Sequence, residues 1–207
     1  MTLDERVKRF DKAAFWYRLL YKRQEDFFRR TLETNREHLE LNPGDKVLDM
    51  GCGNASLCVV LAEMGFDVIG IEASHKMLDT ARDIRSDHKK KNPFSDLLIQ
   101  VLWGDVVDGL PANDKSFEVV FIANTAHCLT AERREMMYRE AARLAKRQVV
   151  VIDYAQNTAK RSRFMDWLDG SDPDVFIASG FEEMRTVFRW VNEVRIDDKL
   201  SWYICKP

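Results

Sequence analysis

The chain has 207 residues, 45% of them hydrophobic and 32% charged, and 32 basic side chains nearly balance 34 acidic ones to give a formal net charge of −2. Such a length is typical of one globular domain, and no charge-free stretch reaches the roughly 18 apolar residues of a membrane-spanning helix. Collagen-like, disordered and transmembrane classes are excluded, and the balanced charge gives no electrostatic argument for nucleic-acid binding.

The amino terminus and the cysteines predict the cellular compartment. The first twelve residues carry charged side chains where a secretory signal peptide has its apolar segment, so we expect no export. The four cysteines form no C-x-x-C pair and stand mostly among apolar neighbours, as reduced and buried thiols do. We therefore expect a cytoplasmic protein without structural disulfides.

Apolar and aromatic side chains recur at helical spacing through the first forty residues, which predicts two helices before the main fold. A turn signal at residues 42–45 separates these helices from the rest of the chain. We therefore treat residues 1–207 as a single domain, in which residues 1–41 form an N-terminal helical extension or lid and residues 42–207 form an α/β core.

Short apolar strands alternate with amphipathic helices through that core. Strands are predicted at residues 46–50, 67–71, 97–103, 118–122, 148–153, 184–196 and 200–206. Helices are predicted at residues 57–64, from about 74, at 131–146 and around 163–168, with a loop at 172–174. Buried strands separated by helices indicate a parallel sheet covered on both faces. The predicted fold is a doubly wound, Rossmann-like α/β sandwich with a mostly parallel seven-stranded sheet and an antiparallel terminal strand pair.

The turn after the first predicted strand carries the main chemical signal, because ligands of open α/β sheets bind beyond the carboxyl ends of the strands. Gly51 and Gly53 allow a tight turn, and the next helix directs unpaired N–H groups at the same place. Glu72 ends the second strand, where a carboxylate can accept hydrogen bonds from a ribose diol. These residues indicate an adenosine-containing cofactor. The alternative is that the glycines only turn the chain and Glu72 caps a helix.

Asp49 distinguishes between adenosine cofactors. A dinucleotide places its pyrophosphate at the helix N-terminus, where a carboxylate one turn away would repel it. S-adenosylmethionine carries a sulfonium centre, an amino group and no phosphate. Its positive charge is favourable beside Asp49, so the sequence predicts S-adenosyl-L-methionine as the cofactor.

Further motifs occur in chain order. The first two motifs are residues 47–55 and Glu72. A third motif, at residues 104–106, comes after the third strand. The next, at residues 117–124, covers the fourth strand and its end. This ordered set resembles the class I S-adenosylmethionine-dependent methyltransferases over most of the chain. The sequence departs from that family at Ala55, which stands where the family has a third glycine. We therefore expect the backbone at Ala55 to avoid the angles that only glycine can adopt.

The amino-terminal sequence indicates a subgroup of that family. Phe10, Asp11, Ala14 and Tyr17 are similar to the start of the small-molecule methyltransferases that include quinone-ring enzymes. The resemblance implies that the tyrosine lies over the cofactor carboxylate and that Asp105 with its adjacent backbone holds the adenine. With the glycine turn and Glu72, it implies the cofactor-binding residues Tyr17, Asp49, Gly51, Cys52, Gly53, Glu72, Ala73, Met77, Gly104, Asp105, Val106, Ala123 and Asn124.

Candidate residues for the reaction itself are fewer. Methyl transfer from a sulfonium is an in-line displacement, but a phenol or amine acceptor needs a base. His127, just after the fourth strand, is the candidate, since an ordinary histidine pKa of about 6.5 suits proton transfer at neutral pH. The alternative is that His127 only lines the pocket or orients substrate. Tyr154, Phe15 and Trp16 are candidate contacts for an apolar or aromatic substrate.

The neighbouring cysteine and the other histidines are interpreted as structural or surface groups. Cys128, beside the candidate base, is interpreted as a small core residue. The other three histidines stand among charged residues without ligand spacing, so we expect no bound metal.

The sequence thus predicts a cytoplasmic methyltransferase that acts on a small molecule. A nucleic-acid methyltransferase of the same fold is an alternative, although Asn124 does not begin an N-P-P-Y-type motif and the chain lacks a basic accessory domain. An NAD(P)-dependent reductase is a second alternative, which Asp49 disfavours. A non-catalytic cofactor-binding module is the third.

Overall fold

A computed structural model describes residues 3–91, 97–159 and 173–207. Its helices are α1 (Leu3–Thr34), α2 (Ser56–Glu63), α3 (His75–Lys91), α4 (Ala131–Leu144) and α5 (Asp174–Val187). Its strands are β1 (Lys46–Met50), β2 (Asp67–Glu72), β3 (Ile99–Trp103), β4 (Phe117–Ala123), β5 (Ala145–Tyr154), β6 (Trp190–Arg195) and β7 (Leu200–Lys206). The helix predicted around residues 163–168 and the start of the loop predicted at 172–174 lie outside the described residues.

All seven strands form one sheet in the order β3-β2-β1-β4-β5-β7-β6. The pairs from β3 to β5 are parallel, whereas β7 pairs antiparallel with both β5 and β6. The predicted doubly wound sheet with an antiparallel ending is therefore confirmed. Because β1 lies between β2 and β4, the winding direction reverses there, and this switch point is where open α/β sheets bind ligands.

The central strands bury both of their faces. Leu48 and Val120 belong to a core cluster shared with α4 and α5, whereas Val47 and Val119 belong to a cluster on the opposite face, shared with α1, α2 and α3. Successive strand residues point to opposite faces, so a strand that is covered on both sides must be apolar throughout. This requirement explains the continuous apolar runs in the sequence.

The prediction of two amino-terminal helices is wrong, because α1 is one helix of 32 residues. Its middle is stabilised by ion pairs within the helix, in which Lys22 pairs with Asp26 at 2.8 Å and Arg29 with Glu25 at 2.8 Å. Such pairs four residues apart stabilise a helix without an apolar face. Among the described residues, every helix is too short or too polar to cross a bilayer.

The strand predicted at residues 184–196 is also wrong in its first part. Helix α5 continues to Val187 and β6 begins only at Trp190. The buried residues of α5 include Ile177, Gly180 and Met184, which lie three and four positions apart, as on one face of a helix and not as in the alternation of a strand. The apolar content of this segment is compatible with either element, and packing against the sheet selects the helix.

Candidate active site

A cavity lies at the switch point, where the carboxyl ends of β1, β2 and β4 meet the first half of α1. The structure brings together all of the predicted cofactor-binding residues in its lining: Tyr17, Asp49, Gly51, Cys52, Gly53, Glu72, Ala73, Met77, Gly104, Asp105, Val106, Ala123 and Asn124. It also adds lining residues that carried no sequence signal, including Arg6, Gln24, Thr125 and Cys128.

The glycine turn after β1 is packed closely against two neighbouring segments. Gly51 has a φ of +79°, and a Cβ built there would lie 2.5 Å from the Thr125 hydroxyl oxygen. The backbone N–H groups of Gly51 and Cys52 both donate to the Ile71 carbonyl oxygen, at 2.8 and 3.0 Å. Position 51 therefore needs glycine for both its backbone angle and its lack of a side chain.

The backbone at Ala55 avoids the angles that only glycine can adopt, as the sequence predicts. Its φ of 62° and ψ of 23° lie in the left-handed region, which costs an L-residue roughly 1–2 kcal/mol. Its methyl group is nevertheless buried in the core cluster that includes α2. The chain therefore tolerates an alanine in a left-handed conformation at this position, with its side chain packed in the core.

Asp49, the penultimate residue of β1, presents an incompletely paired carboxylate to the cavity. Its side chain is 1% exposed, its Oδ2 accepts a hydrogen bond from the Cys58 thiol at 3.2 Å, and its Oδ1 has no partner among the described residues. Burial, with a smaller contribution from the nearby Glu72 carboxylate, raises the pKa of Asp49 to about 7. A cation bound at Oδ1 would offset the cost of burying the ionised carboxylate.

Glu72 is fixed in orientation at the end of β2. Its Oε1 accepts a hydrogen bond from the Ser74 backbone N–H at 2.7 Å, and its Oε2 accepts one from the Gly53 backbone N–H at 3.0 Å. Burial raises the pKa of Glu72, although these two donors oppose the rise. Each carboxylate oxygen can accept a further bond, so the side chain is set up to receive a pair of hydroxyl donors.

Asp105 lines the cavity and is also paired within the protein. Its Oδ2 accepts hydrogen bonds from Arg6 and from Arg133, each at 2.9 Å, and its Oδ1 accepts one from the Val107 backbone N–H at 3.3 Å. The carboxylate is thus engaged by the protein itself. Arg6 is buried and comes from α1, so this ion pair holds the start of that helix against the cavity.

Three further hydrogen bonds hold α1 over the cavity. The Asn54 side-chain amide donates to the Tyr17 carbonyl oxygen at 2.9 Å and to Gln24 at 2.7 Å. The Ser74 hydroxyl donates to Asp11 at 2.6 Å. Because Asn54 comes after β1 and Ser74 comes after β2, the helix is connected to both of the loops that line the cavity floor.

His127 lies behind the cavity wall and is not among the described residues that line it. It is buried, its Nδ1 lies 2.7 Å from an Asp153 carboxylate oxygen, and its ring packs edge-on against Tyr154 at 5.1 Å. Burial lowers the pKa of His127, but the Asp153 carboxylate and the Cys128 side chain more than reverse this, so the pKa lies well above its usual value. A raised pKa favours the protonated imidazole over the neutral form that a general base requires.

The three candidate substrate contacts do not meet around the cavity. Phe15 and Trp16 are 64% and 43% exposed and pack against each other edge-on at 5.8 Å. Tyr154 is buried, and its carbonyl oxygen accepts a hydrogen bond from the Tyr203 hydroxyl at 2.7 Å. The face of α1 that reaches the cavity instead presents Phe10 and Tyr17, because residues seven apart lie on one side of a helix.

Comparison with known proteins identifies relatives in sequence. Residues 47–148 match the family model described as a methyltransferase domain. An uncharacterized methyltransferase of Synechocystis sp. is 27% identical over 156 residues, which cover 75% of this chain and 65% of the relative. A ubiquinone biosynthesis O-methyltransferase of Bartonella tribocorum is 42% identical over 53 residues, which cover 25% of this chain and 22% of the relative. The chain spans less than two thirds of the length of these curated relatives.

A solved structure shares the fold. The crystal structure of a SAM dependent methyltransferase from Aquifex aeolicus matches 84% of this chain and 87% of its own, with a TM-score of 0.62 and 18% sequence identity. A likeness at this identity establishes the architecture. It agrees with the resemblance that the ordered motifs indicated.

Proposed function

Since residues 47–148 match the family model of a methyltransferase domain, we propose that the protein is an enzyme that transfers a methyl group from S-adenosyl-L-methionine to a small-molecule acceptor. The observation that carries the proposal is the unpartnered Oδ1 of Asp49, which lies in a buried carboxylate at the switch point of the sheet. A buried carboxylate of this kind fits a cationic ligand and disfavours a phosphate.

The surrounding groups fit the other parts of this cofactor. Asp49 would pair with the amino group of the methionine part, and the anchored Glu72 carboxylate would accept hydrogen bonds from the ribose hydroxyls. The glycine turn lets the backbone approach closely, since Gly51 and Gly53 carry no side chain. The cofactor supplies an electrophilic methyl carbon on a sulfonium.

The protein's own contribution is alignment and exclusion of water. Helix α1 lies across the cavity, where it is held by Arg6, Asp11 and the contact between Asn54 and the Tyr17 carbonyl. In this proposal residues 1–41 act as the cover and residues 42–207 as the cofactor-binding core. Phe10 and Tyr17 face the bound molecule, and Phe15 and Trp16 lie on the outer side of the cover.

A small, largely apolar acceptor is supported by two observations. The helix that covers the cavity presents the aromatic side chains Phe10 and Tyr17 to it, 6.5 Å apart between ring centroids. A short stretch of the chain is also similar to an O-methyltransferase of ubiquinone biosynthesis. A phenolic ring would pack against such aromatic groups.

Binding of S-adenosylhomocysteine, measured by titration calorimetry, tests the cofactor assignment. Asp49→Asn should weaken binding by roughly 1–3 kcal/mol, or about 5- to 150-fold, because it removes the charged partner of the amino group. Glu118→Gln is the matched control, since Glu118 lies at the opposite end of the sheet, where it accepts a hydrogen bond from the Lys46 backbone N–H. Equal binding by the wild type and Asp49→Asn, or tight NAD(P) binding without S-adenosylhomocysteine binding, would overturn the assignment.

The acceptor class is tested by methyl transfer from radiolabelled S-adenosylmethionine. Catechols and hydroquinones are offered as acceptors in one reaction and duplex DNA in another. Label in the phenolic products supports the proposal. Label confined to DNA indicates the nucleic-acid alternative, and no transfer to any acceptor by a protein that binds the cofactor indicates a non-catalytic module.

A further inference from the structure

Two cysteine side chains lie next to each other at the glycine turn after β1. Cys52 belongs to that turn and Cys58 to the first turn of α2, and both are buried. Gly70 in β2 leaves the room for them, because a Cβ built there would lie 2.8 Å from the Cys52 sulfur and 2.9 Å from the Cys58 sulfur. A glycine inside a strand commonly marks such a close approach. The two sulfur atoms therefore share the space above one glycine.

Both cysteines are connected to the groups that the proposed function assigns to the cofactor. Cys52 lines the cavity at the switch point of the sheet. The Cys58 thiol donates a hydrogen bond to Oδ2 of Asp49 at 3.2 Å. A change in the bonding of either sulfur therefore acts directly on the cavity.

The surroundings of the pair favour the reduced, protonated thiols. The neighbouring Cys58 thiol lowers the pKa of Cys52, but burial and the Asp49 and Glu72 carboxylates together raise it above its ordinary value. The contact with Cys52 and burial raise the pKa of Cys58 well above its ordinary value. Because the thiolate is the reactive form, we expect the pair to stay reduced until an oxidant enters the cavity.

We propose that Cys52 and Cys58 are a redox-sensitive pair that hydrogen peroxide oxidises to a disulfide, and that the disulfide weakens cofactor binding, an effect that rests on the proposed function. The sulfur of Cys52, which lines the cavity, attacks one peroxide oxygen. The O–O bond breaks, and a sulfenic acid and one water form. The sulfur of Cys58 then attacks the sulfenic sulfur and expels its hydroxyl group, which leaves as a second water with the remaining thiol proton. The two thiols together lose two electrons and two protons, and the peroxide is reduced to water.

A disulfide changes the site in two ways. It removes the S–H group that donates to Asp49, whose Oδ1 has no partner among the described residues. It also draws the turn at Cys52 toward α2, because bonded sulfur atoms are only about 2 Å apart. The next residue in that turn, Gly53, donates the backbone N–H that holds Glu72. Both carboxylates assigned to the cofactor are therefore affected.

Peptide mass spectrometry after peroxide treatment tests for the disulfide without measuring binding or activity. Both cysteines fall in one tryptic peptide, residues 47–76, which has no internal lysine or arginine. After allowance for oxidised methionine, we expect this peptide to be lighter by two hydrogen atoms and to resist alkylation by iodoacetamide after unfolding. Dithiothreitol should restore both thiols. Peroxide treatment that leaves both thiols free, or that oxidises Cys52 to a sulfinic acid without a disulfide, would overturn the proposal.

Titration calorimetry with S-adenosylhomocysteine tests the effect on the cavity, and each protein is compared with its own reduced form. The oxidised wild type should bind roughly 10-fold more weakly or worse, the cost of losing a hydrogen-bonded partner of a buried charge. Dithiothreitol should restore the affinity. In Cys52→Ser the cysteine that lines the cavity is absent, so peroxide should leave its affinity unchanged.

Cys128→Ser is the matched control. Cys128 lines the same cavity and its side chain is partly accessible, which does not agree with its interpretation as a small core residue. This variant should lose affinity on oxidation as the wild type does. The proposal is overturned if Cys128→Ser is insensitive to peroxide, or if Cys52→Ser loses as much affinity as the wild type.

The two measurements separate the redox proposal from the proposed function. If the reduced wild type does not bind S-adenosylhomocysteine, the cofactor assignment fails and the effect on binding fails with it, whereas the peptide mass still decides whether the disulfide forms. If the reduced protein binds and the protein with the disulfide binds equally well, the cofactor assignment stands and the redox proposal is overturned.

Discussion

Folding favours the protonated form of Asp49, whereas binding of a cation favours the ionised form. The carboxylate is buried with one oxygen unpartnered, and its pKa is about 7 in the folded chain against 3.8 for an unperturbed aspartate. Since the fold favours the protonated form, this group lowers the free energy of unfolding progressively as the pH rises from about 4 to about 7. Above that range the penalty is constant. Asp49 is thus a destabilising residue in a well-packed strand.

Asp49→Asn should therefore stabilise the unliganded protein. At pH 8 we expect the free energy of unfolding to increase by roughly 2–4 kcal/mol, because the buried charge is removed while the acceptor for Cys58 is kept. The gain should shrink as the pH is lowered toward 4. Urea unfolding at pH 5 and pH 8 measures both values, and a variant no more stable than the wild type at pH 8 would contradict the expected cost.

The same titration makes cofactor binding depend on pH. A bound ammonium favours ionised Asp49, whose pKa in the free protein is about 7. The affinity for S-adenosylhomocysteine should be nearly constant above pH 7.5 and should fall by about 10-fold per pH unit well below pH 7. Calorimetry at pH 6, 7 and 8 measures this dependence. Asp49→Asn should bind weakly with little change over this range, and equal wild-type affinities at pH 6 and pH 8 would argue against an ion pair at Asp49.

At the scale of elements, the glycine turn after β1 packs directly against the residues that follow β4. Gly51 is in contact with Thr125, whose hydroxyl donates to the Gly51 carbonyl oxygen at 3.3 Å. Gly53 also has a positive φ, of 54°, but a Cβ there would meet nothing within 4 Å. The two glycines therefore have different structural reasons to be glycine.

Gly51→Ala should destabilise the protein more than Gly53→Ala does. At position 51 the methyl group adds a clash to the unfavourable backbone angle, for a cost of roughly 2–4 kcal/mol. At position 53 only the angle remains, for a cost of roughly 1–2 kcal/mol. Urea unfolding of the unliganded variants compares the two costs. Equal losses would mean that the turn moves away from Thr125 without penalty.

At the scale of the whole molecule, the second half of α1 is part of the core. Phe28 and Leu32 are buried in the cluster that α2 and α3 form on one face of the sheet, whereas Leu19 on the same helix is 60% exposed. The first half of α1 carries the ion pair and the hydrogen bond that Arg6 and Asp11 make beside the cavity. Because α1 is one continuous helix, the packing of its second half in the core fixes where its first half lies beside the cavity.

Leu32→Ala should lower the free energy of unfolding by roughly 2–5 kcal/mol, because it leaves a cavity in that cluster. Leu19→Ala, which makes the same chemical change on the exposed side of the helix, should stay within about 0.5 kcal/mol of the wild type. Thermal and urea unfolding measure both. A small effect at position 32 would indicate that α1 is a detachable extension of the core.

Local patterns were enough to predict the sheet and the location of the site. The apolar strands, the glycines of the first turn and Glu72 are each recognisable within a few neighbouring residues, and parallel strands bring their carboxyl ends to one edge. That is why every predicted cofactor contact lies in one cavity, although the segments are far apart in the chain. The less accurate predictions concern segments such as residues 184–188, where an apolar pattern suits two kinds of element.

By itself, then, the sequence determined the fold and the edge of the sheet at which the cavity lies, and it indicated a cationic cofactor, because each depends on local spacing and residue type. Only the tertiary structure decided how individual side chains are paired. It placed His127 against Asp153 rather than in the cavity, brought Arg6 to Asp105 across 99 positions and exposed Cys128 to the cavity. The physical reason is that burial and pairing depend on which distant segments pack together, and these contacts set the charge of a side chain and the direction it faces.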